Sequence, residues 1–187
     1  MACLTNYTFK GISLDCNPVL AGMRNLYLAY FDDVKVNTDD ATQTATISAV
    51  EGDKPTFYQY QITTNTGGLT STLTRNDQNG TRYYTNTITA QFLKIEAHKH
   101  LEVMAMAAEA LVAIVEDNMG QYWIVGADSY ASGTAATSQT GTSFDDLNGY
   151  TVEISARSAV MPYEFKLTEG QTIEEVLNIV KYNETNA

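Results

Sequence analysis

The stretch from Leu69 to Ala90, LTSTLTRNDQNGTRYYTNTITA, constrains the fold of this chain more than any other part of the sequence. Threonine is frequent in both halves and tyrosine in the second, and both residue types favour extended backbone. Between the halves stands Asn79-Gly80, a dipeptide typical of a two-residue type I′ turn, in which both residues need positive φ. The pattern therefore predicts one long β-hairpin with Asn79 and Gly80 at its tip.

A tip at this position also predicts which residues face each other. Gln78 is placed opposite Thr81, and one face of the hairpin then carries successive threonine pairs, which stabilise a sheet. The predicted pairs are Thr74 with Thr85, Thr72 with Thr87, and Thr70 with Thr89. Leu69 lies on the other face, opposite Ala90, so the hairpin has one hydroxyl face and one partly apolar face.

Such a hairpin, about 30 Å long at ~3.3 Å per residue, needs cover, because an isolated two-stranded hairpin is marginal in water. Two interpretations stay open. The two strands are central strands of the chain's own sheet, or a neighbouring subunit supplies the missing cover.

The rest of the chain has the pattern of a β protein. Six further segments alternate or run apolar as strands do: 24–31, 56–64, 111–117, 121–127, 149–156 and 160–167. Residues 127–148 are small and polar, which is typical of an extended loop. We expect a single domain over residues 1–187 that is mainly β: a β-sandwich or barrel with one flanking α-helix, a long β-hairpin arm and a short C-terminal helix.

The helix predicted in AHKHLEVMAMAAEAL, which begins at residue 97, is apolar on more than one side. A helix of this kind is covered on more than one side. It lies over its own sheet, or it also contacts another subunit. In the second case Met104 and Met106 are candidate interface residues.

A second helix is predicted over residues 171–182. Thr172 and Glu175 have the spacing of a capping box, and apolar residues at helical spacing follow. A helix of about nine residues is marginal alone, so it must dock on its own domain or on a partner. Its candidate docking residues are Val176, Leu177 and Val180.

Nothing in the residue pattern predicts an enzyme. The chain has no G-x-S-x-G elbow, no H-E-x-x-H and no Walker phosphate loop. Its only histidines, His98 and His100, leave few ways to build a Ser-His-Asp triad. Cys3 and Cys16, the only cysteines, are too few for a disulfide framework or a zinc site. We expect free thiols, no cofactor and no bound metal.

The charge balance argues against a nucleic-acid-binding surface. The chain has 11 Lys and Arg against 22 Asp and Glu, a formal charge of −11, whereas phosphate contacts need clustered cations. No signal peptide and no apolar stretch of membrane-spanning length is visible. Neither secretion nor contact with a membrane is therefore expected.

Several segments also occur in an order that resembles a known group of proteins. They are GISLDC, LTSTLT followed by NGTRYYTN, VEDNMGQYWIVG and TGTSFDDLNGYTVEI, within roughly residues 11–165. Together they resemble the tail-tube-like virion proteins of tailed phages of gut bacteria, including ring proteins in the tail barrel of crAss-like phages. The capped C-terminal segment is not part of this resemblance.

The resemblance implies a structural protein, made in the host cytoplasm, that resides in the phage tail. Subunits would join their sheets into a homo-oligomeric ring of six or twelve copies with an inner β-barrel. Rings would stack on one another or on portal, neck or other tail proteins, bridged by hairpins or loops. DNA would pass through the lumen without specific binding. The threonine face, the hairpin tip, the two methionines and the C-terminal apolar residues would then lie at interfaces.

A monomeric β-sandwich that binds a ligand, such as an adhesin or a carbohydrate-binding domain, is the alternative. Exposed aromatic side chains would favour it. Trp123, which lies within an apolar strand, and the lack of a secretion signal count against it. An enzyme ranks third, because no nucleophile stands beside a base.

Overall fold

The computed structural model describes residues 11–13, 18–52, 54–167 and 170–182. The strands are β1 Met23–Tyr30, β2 Val34–Asp39, β3 Thr44–Ala49, β4 Thr56–Gln61, β5 Gly68–Asn76, β6 Thr81–Leu93, β7 Leu111–Asp117, β8 Tyr122–Val125, β9 Ser132–Gln139, β10 Gly149–Ser158, β11 Tyr163–Phe165 and β12 Asn178–Lys181. The α-helices are α1, Ala97–Ala108, and α2, Ile173–Val176. Cys3 and Cys16 lie outside the described residues, so the expectation of free thiols remains a prediction.

The strands form two sheets. The large sheet has eight strands in the order β12-β4-β1-β7-β8-β11-β3-β2, and the small sheet has four in the order β5-β6-β10-β9. All pairs are antiparallel except β12 with β4 and β11 with β3. The predicted mainly β sandwich with a flanking helix is confirmed.

The core lies on both faces of the large sheet. One cluster fills the space between the sheets and includes Leu26, Leu28, Ile88 and Val152. A second cluster, which includes Phe57 among its fully buried members, covers the opposite face of the large sheet. Central strands such as β7 are therefore buried on both faces, which explains why their sequences are continuously apolar.

The hairpin of β5 and β6 exists, but its predicted turn and register are wrong. Asn76 pairs with Thr81, so four residues connect the strands, and within this loop only Gly80 has positive φ (+69°). The side chains of Asn76 and Asn79 accept hydrogen bonds from the backbone N–H groups of Gln78 and Thr81, which stabilises the longer loop. The observed pairs are Thr72 with Thr85, Thr70 with Thr87, Thr74 with Tyr83 and Gly68 with Thr89. Since the register shift is two residues, every side chain keeps its predicted face.

The extended loop predicted over 127–148 is wrong for residues 132–139, which form β9. This strand pairs with β10, and α1 packs closely against it. A Cβ on Gly133 would lie 2.9 Å from the Cα of Ala107. The close approach of the helix demands small residues, and small residues hide the alternation from which a strand is recognised.

The helix predicted over 171–182 is wrong beyond its first turn. Its capped start is confirmed, because the Glu175 carboxylate accepts a hydrogen bond from the backbone N–H of Thr172 at 3.1 Å. From Asn178 the chain is strand β12, parallel to β4. Pairing with the edge of β4 satisfies backbone groups of this segment, and the β-branched Ile179 and Val180 favour a strand over a short isolated helix.

A candidate assembly surface

The outer face of the small sheet is covered with hydroxyl groups. Thr70, Thr72 and Thr74 on β5 share this face with Thr85, Thr87 and Thr89 on β6, and the first three are exposed while the last three are half-buried. The face continues across β10 and β9 with Thr151, Ser155 and Thr137. The alternate residues, such as Ile88, point into the core, so strand periodicity alone separates the hydroxyl face from the packed face. The predicted hydroxyl face is confirmed and is wider than the hairpin.

Charge is almost absent from the small sheet. Its four strands carry one of the 22 acidic residues, Glu153, and three arginines, Arg75, Arg82 and Arg157. Glu153 and Arg157 are the two charged residues on the hydroxyl face, and Arg157 lies over the ring of Tyr83 at 5.6 Å from its centroid. The acidity of the chain therefore resides elsewhere, and this face is close to neutral.

Both edges of the small sheet are open. Among the described residues, no named strand pairs with the outer side of β5 or of β9, although Ala131, directly before β9, forms an isolated bridge with Leu111 of β7. β9 carries no charged residue, and β5 carries only Arg75, close to the tip. Monomeric proteins usually guard such edges with charge, proline or a bulge, because an unpaired edge templates pairing with another chain. This sheet has a bulge between β9 and β10, but its two outer strands carry no charge apart from Arg75.

The sequence interpretation missed the β9 edge. The sequence feature that could have indicated this edge is the lack of any charged residue from 129 to 144. Such a run is unusual for an exposed loop in a chain with a formal charge of −11, and it is what an edge that pairs with another copy needs.

The hairpin tip projects beyond its neighbour. The pairing of β6 with β10 ends at Tyr84, opposite Ser158, and residues 74–83 extend past this point. Asn79 and Gly80 are exposed at the end of the loop. Leu69, predicted at an interface, instead packs half-buried against the chain's own core. Most of β6 is therefore a central strand of the chain's own sheet, and only the tip and the β5 edge lack cover.

The two methionines of α1 have opposite surroundings. Met106 is 3% exposed and belongs to the core, so its prediction as an interface residue is wrong, whereas Met104 is 65% exposed. Residues two apart on a helix point to different sides. Leu101, one turn before Met104, is also exposed. The second apolar face predicted for the helix thus exists and is uncovered in a single chain.

The three C-terminal residues predicted at an interface differ in their burial. Leu177 is fully buried in the core cluster of the large sheet, so its prediction as an interface residue is wrong. Val176 is half-buried against the same cluster, and Val180 on β12 is partly exposed. Because β12 is the outermost strand, this segment completes its own sheet.

The buried carboxylate of the described residues, Glu116, is part of a satisfied hydrogen-bond network. Glu116 accepts hydrogen bonds on the same oxygen from the Asn25 amide at 2.6 Å and the Tyr27 hydroxyl at 2.9 Å. Burial, and then the bond to Glu116, raise the pKa of Tyr27 above its ordinary value.

Among the described residues, no group of three His, Cys, Asp or Glu is placed to hold a metal ion. In that same part of the chain, neither helix is long and apolar enough to cross a bilayer.

Two comparisons with known proteins found no match. No protein-family model matches the chain. A search of curated proteins finds no match either. The function is therefore inferred from the hydroxyl face, its two open edges and the projecting tip.

Proposed function

We propose that this protein is a non-enzymatic structural subunit that assembles into rings through the two edges of its small sheet. In the ring, β9 of one copy pairs antiparallel with β5 of the next, because strand direction alternates across the sheet from β5 to β9. The hydroxyl face lines a central channel. This is the architecture implied by the resemblance to tail-tube-like and tail-barrel proteins of tailed phages, in which the channel conducts the genome.

The observation that carries the proposal is a pair of unpaired edges on one sheet of a chain of charge −11, whose two edge strands carry a single charged residue, Arg75 near the hairpin tip. The edges are different strands, so the contact between copies is heterologous. Heterologous contacts produce closed rings when the rotation between copies closes, and filaments when it does not.

The dimensions suit a channel. Four strands spaced ~4.8 Å apart give each copy a width of roughly 19 Å, so six copies would build a barrel of about 24 strands. Barrels of 16–18 strands already leave an aqueous channel. A ring of six copies therefore encloses water rather than a packed core.

The chemistry of the face suits passage of DNA rather than capture. Non-specific DNA binding depends on lysine and arginine contacts to phosphate. The hydroxyl face carries one cationic side chain, Arg157, and one anionic side chain, Glu153; its other side chains are neutral. DNA would thus meet neither strong attraction nor strong repulsion along the wall.

Charge exchange at the edges tests the ring. Thr70 and Thr137 are exposed side chains, one on each edge strand, so replacing them should not disturb the fold. A variant with Thr70→Lys and Thr137→Lys brings like charges together and should stay monomeric. The matched variant with Thr70→Glu and Thr137→Lys should assemble into rings, visible by negative-stain electron microscopy and sedimentation velocity.

Three outcomes would contradict this design. Wild-type protein that remains monomeric at high concentration rules out the ring. If the doubly lysine-substituted variant assembles as well as the wild type, the edges are not the interface. If neither variant assembles, complementary charges do not restore the contact, which contradicts the proposed β9–β5 pairing.

A monomeric ligand-binding module is the second candidate, favoured by exposed aromatic rings. Tyr30 and Tyr58 are 41% and 40% exposed and lie edge to face with centroids 6.3 Å apart. Exposed tyrosines of this kind stack on sugars in carbohydrate-binding modules. Binding of monomeric protein to a glycan array, lost in Tyr58→Ala, would support this candidate over the ring.

A further inference from the structure

A groove lined with tyrosine lies between α1 and the β1–β4 part of the large sheet. Its volume is about 240 Å³. Tyr30, Tyr58 and Tyr60 contribute to its wall, and Leu28 and Met106 line it with buried apolar side chains. The groove therefore presents three aromatic rings over an apolar base.

Carboxylates surround these rings. Glu102 lines the groove and accepts a hydrogen bond from the Tyr60 hydroxyl at 2.6 Å. The pKa of Tyr30 is raised, first by burial, then by Tyr58, and further by the nearby carboxylates of Glu109, Glu102 and Asp33. The groove therefore contains one carboxylate, Glu102, and lies near others.

Aromatic rings combined with carboxylates select a cation. A guanidinium or ammonium group is attracted to the face of an aromatic ring, and a guanidinium also stacks on rings while it donates hydrogen bonds to carboxylates. Three tyrosines and Glu102 supply both kinds of contact in one place. The chemical class that fits the groove is thus an arginine-bearing segment.

The chain itself offers such a segment at the hairpin tip. Arg75 and Arg82 face each other near the end of the projecting hairpin, next to the exposed Leu73. Within the described part of the chain, Arg82 forms no ion pair, and Arg75 pairs only with Asp77 of the same loop. The tip extends beyond β10 by three residues per strand and a four-residue loop, and the strand part alone spans roughly 10 Å at ~3.3 Å per residue. It can therefore reach another molecule.

Other cations are less suited to this role. Lys99, Lys166 and Lys181 form ion pairs within the chain, and Arg24 lies beside Glu116. Arg157 lies over its own Tyr83. The tip combines two arginines, an apolar neighbour and reach, and its net positive charge is complementary to the acidic groove.

We propose that the groove formed by Tyr30, Tyr58, Tyr60 and Glu102 binds the Arg75–Arg82 hairpin tip of a second copy of this chain. The contact is additional to the edge pairing and rests on the proposed self-assembly. It gives a copy a second, electrostatic attachment, through which copies not paired at their edges are also joined.

Charge reversal in both partners tests the contact. Arg75→Glu with Arg82→Glu, or Glu102→Lys with Glu109→Lys, should each weaken self-association by about tenfold, which corresponds to ~1.4 kcal/mol. The two sets combined in one chain should restore it. Lys35→Glu with Lys166→Glu makes the same change in net charge as the arginine variant and should leave association within about twofold. Sedimentation equilibrium gives the constants.

A milder variant guards against misfolding of the groove. Tyr58→Leu keeps an apolar, partly exposed side chain but removes the aromatic ring. It should weaken association while the free energy of unfolding stays unchanged. Unaltered association in this variant, and in the arginine variant, overturns the groove contact.

A cysteine pair locates the contact directly. In a Cys3→Ser, Cys16→Ser background, Tyr58→Cys combined with Arg82→Cys should give disulfide-linked oligomers under mild oxidation. The matched pair Lys166→Cys with Arg82→Cys should give none. Linked oligomers in both pairs, or in neither, contradict the specific contact.

The two proposals fail in different ways. Rings that form unchanged in the arginine variant overturn the groove contact alone. Loss of rings in the lysine edge variant, with disulfide linkage through the tip retained, supports both contacts. If an added arginine-rich peptide binds the protein but the protein never self-associates, the occupant of the groove is not a second copy of this chain.

Discussion

At the scale of single residues, the buried Glu116 network is the most sensitive point of the fold. Its carboxylate accepts hydrogen bonds from Tyr27 and Asn25 within the large sheet. Tyr27→Phe removes one donor to a buried charged group and should lower the free energy of unfolding by about 1.5–3 kcal/mol. Tyr122→Phe is the matched control, since the half-buried Tyr122 packs edge to face on Phe165. Urea unfolding that shows equal losses for both would contradict the network's role.

The buried tyrosines also set the response to alkaline pH. Burial, together with hydrogen bonds to carboxylates, raises the pKa of Tyr27, Tyr60 and Tyr163. The folded state therefore keeps protons that the unfolded state loses near pH 10. The stabilisation that these three tyrosines contribute is fully present below about pH 10, and it is lost as the pH rises toward their pKa values in the folded state. With three such groups, the free energy of unfolding should fall by up to ~4 kcal/mol per pH unit above about pH 10.

Urea unfolding between about pH 8 and pH 11 measures this slope. Tyr163→Phe removes the group whose hydroxyl donates to Asp40 at 2.6 Å. The slope of this variant should be about one third smaller than that of the wild type. An unchanged slope would mean that Tyr163 does not hold its proton in the folded state.

At the scale of elements, α1 should tolerate substitution on one side only. Met106→Ala empties a core position and should cost about 2–5 kcal/mol of unfolding free energy. Met104→Ala, two residues away and exposed, should change it by less than about 0.5 kcal/mol. Thermal and urea unfolding of the pair measure this. Equal destabilisation would mean that the helix is rotated relative to its observed position.

The tip of the hairpin should be dispensable for folding, whereas its base should be essential. Replacing residues 75–82 by Asn-Gly joins Thr74 to Tyr83, which already face each other. Unfolding free energy should change by less than about 1 kcal/mol, because the removed residues are exposed. Deleting 70–89 removes the buried Ile88 and should prevent folding. Circular dichroism and size-exclusion chromatography distinguish the two results, and a folded 70–89 deletion would contradict the central position of β6.

At the scale of the whole molecule, the separation of charge predicts how the protein treats DNA. The small sheet carries few charges, and all acidic residues except Glu153 lie outside its strands. Duplex DNA should therefore bind more weakly than the ~10⁻⁴ M dissociation constant at the weak end of non-specific binding. Adding lysine at Thr70, Thr72, Thr85 and Thr87 should create salt-dependent binding. Fluorescence anisotropy against salt measures both, and micromolar binding by the wild type would contradict a passive channel wall.

Much of the architecture was predictable because local patterns specify it. The apolar run of β7 and the alternation of β10 predicted their strands, and the Thr172 and Glu175 spacing predicted the start of α2. The hydroxyl face was also predictable, since successive side chains on a strand point to opposite faces whatever the exact register. Which face of α1 would be buried was not predictable, because alanine and methionine are apolar on every side of it.

The sequence by itself determined which residues alternate, where the chain is extended and that one face is neutral, because the covalent geometry of a strand gives these features without any partner. Only the tertiary structure decided the four-residue hairpin loop, the strand of Ser132–Gln139 and the strand of Asn178–Lys181. The two strands depend on neighbours distant in sequence: β10 and α1 for the first, the edge of β4 for the second. Pairing of backbone groups across such contacts overrides local preference, because an unpaired backbone group costs more than a propensity difference provides.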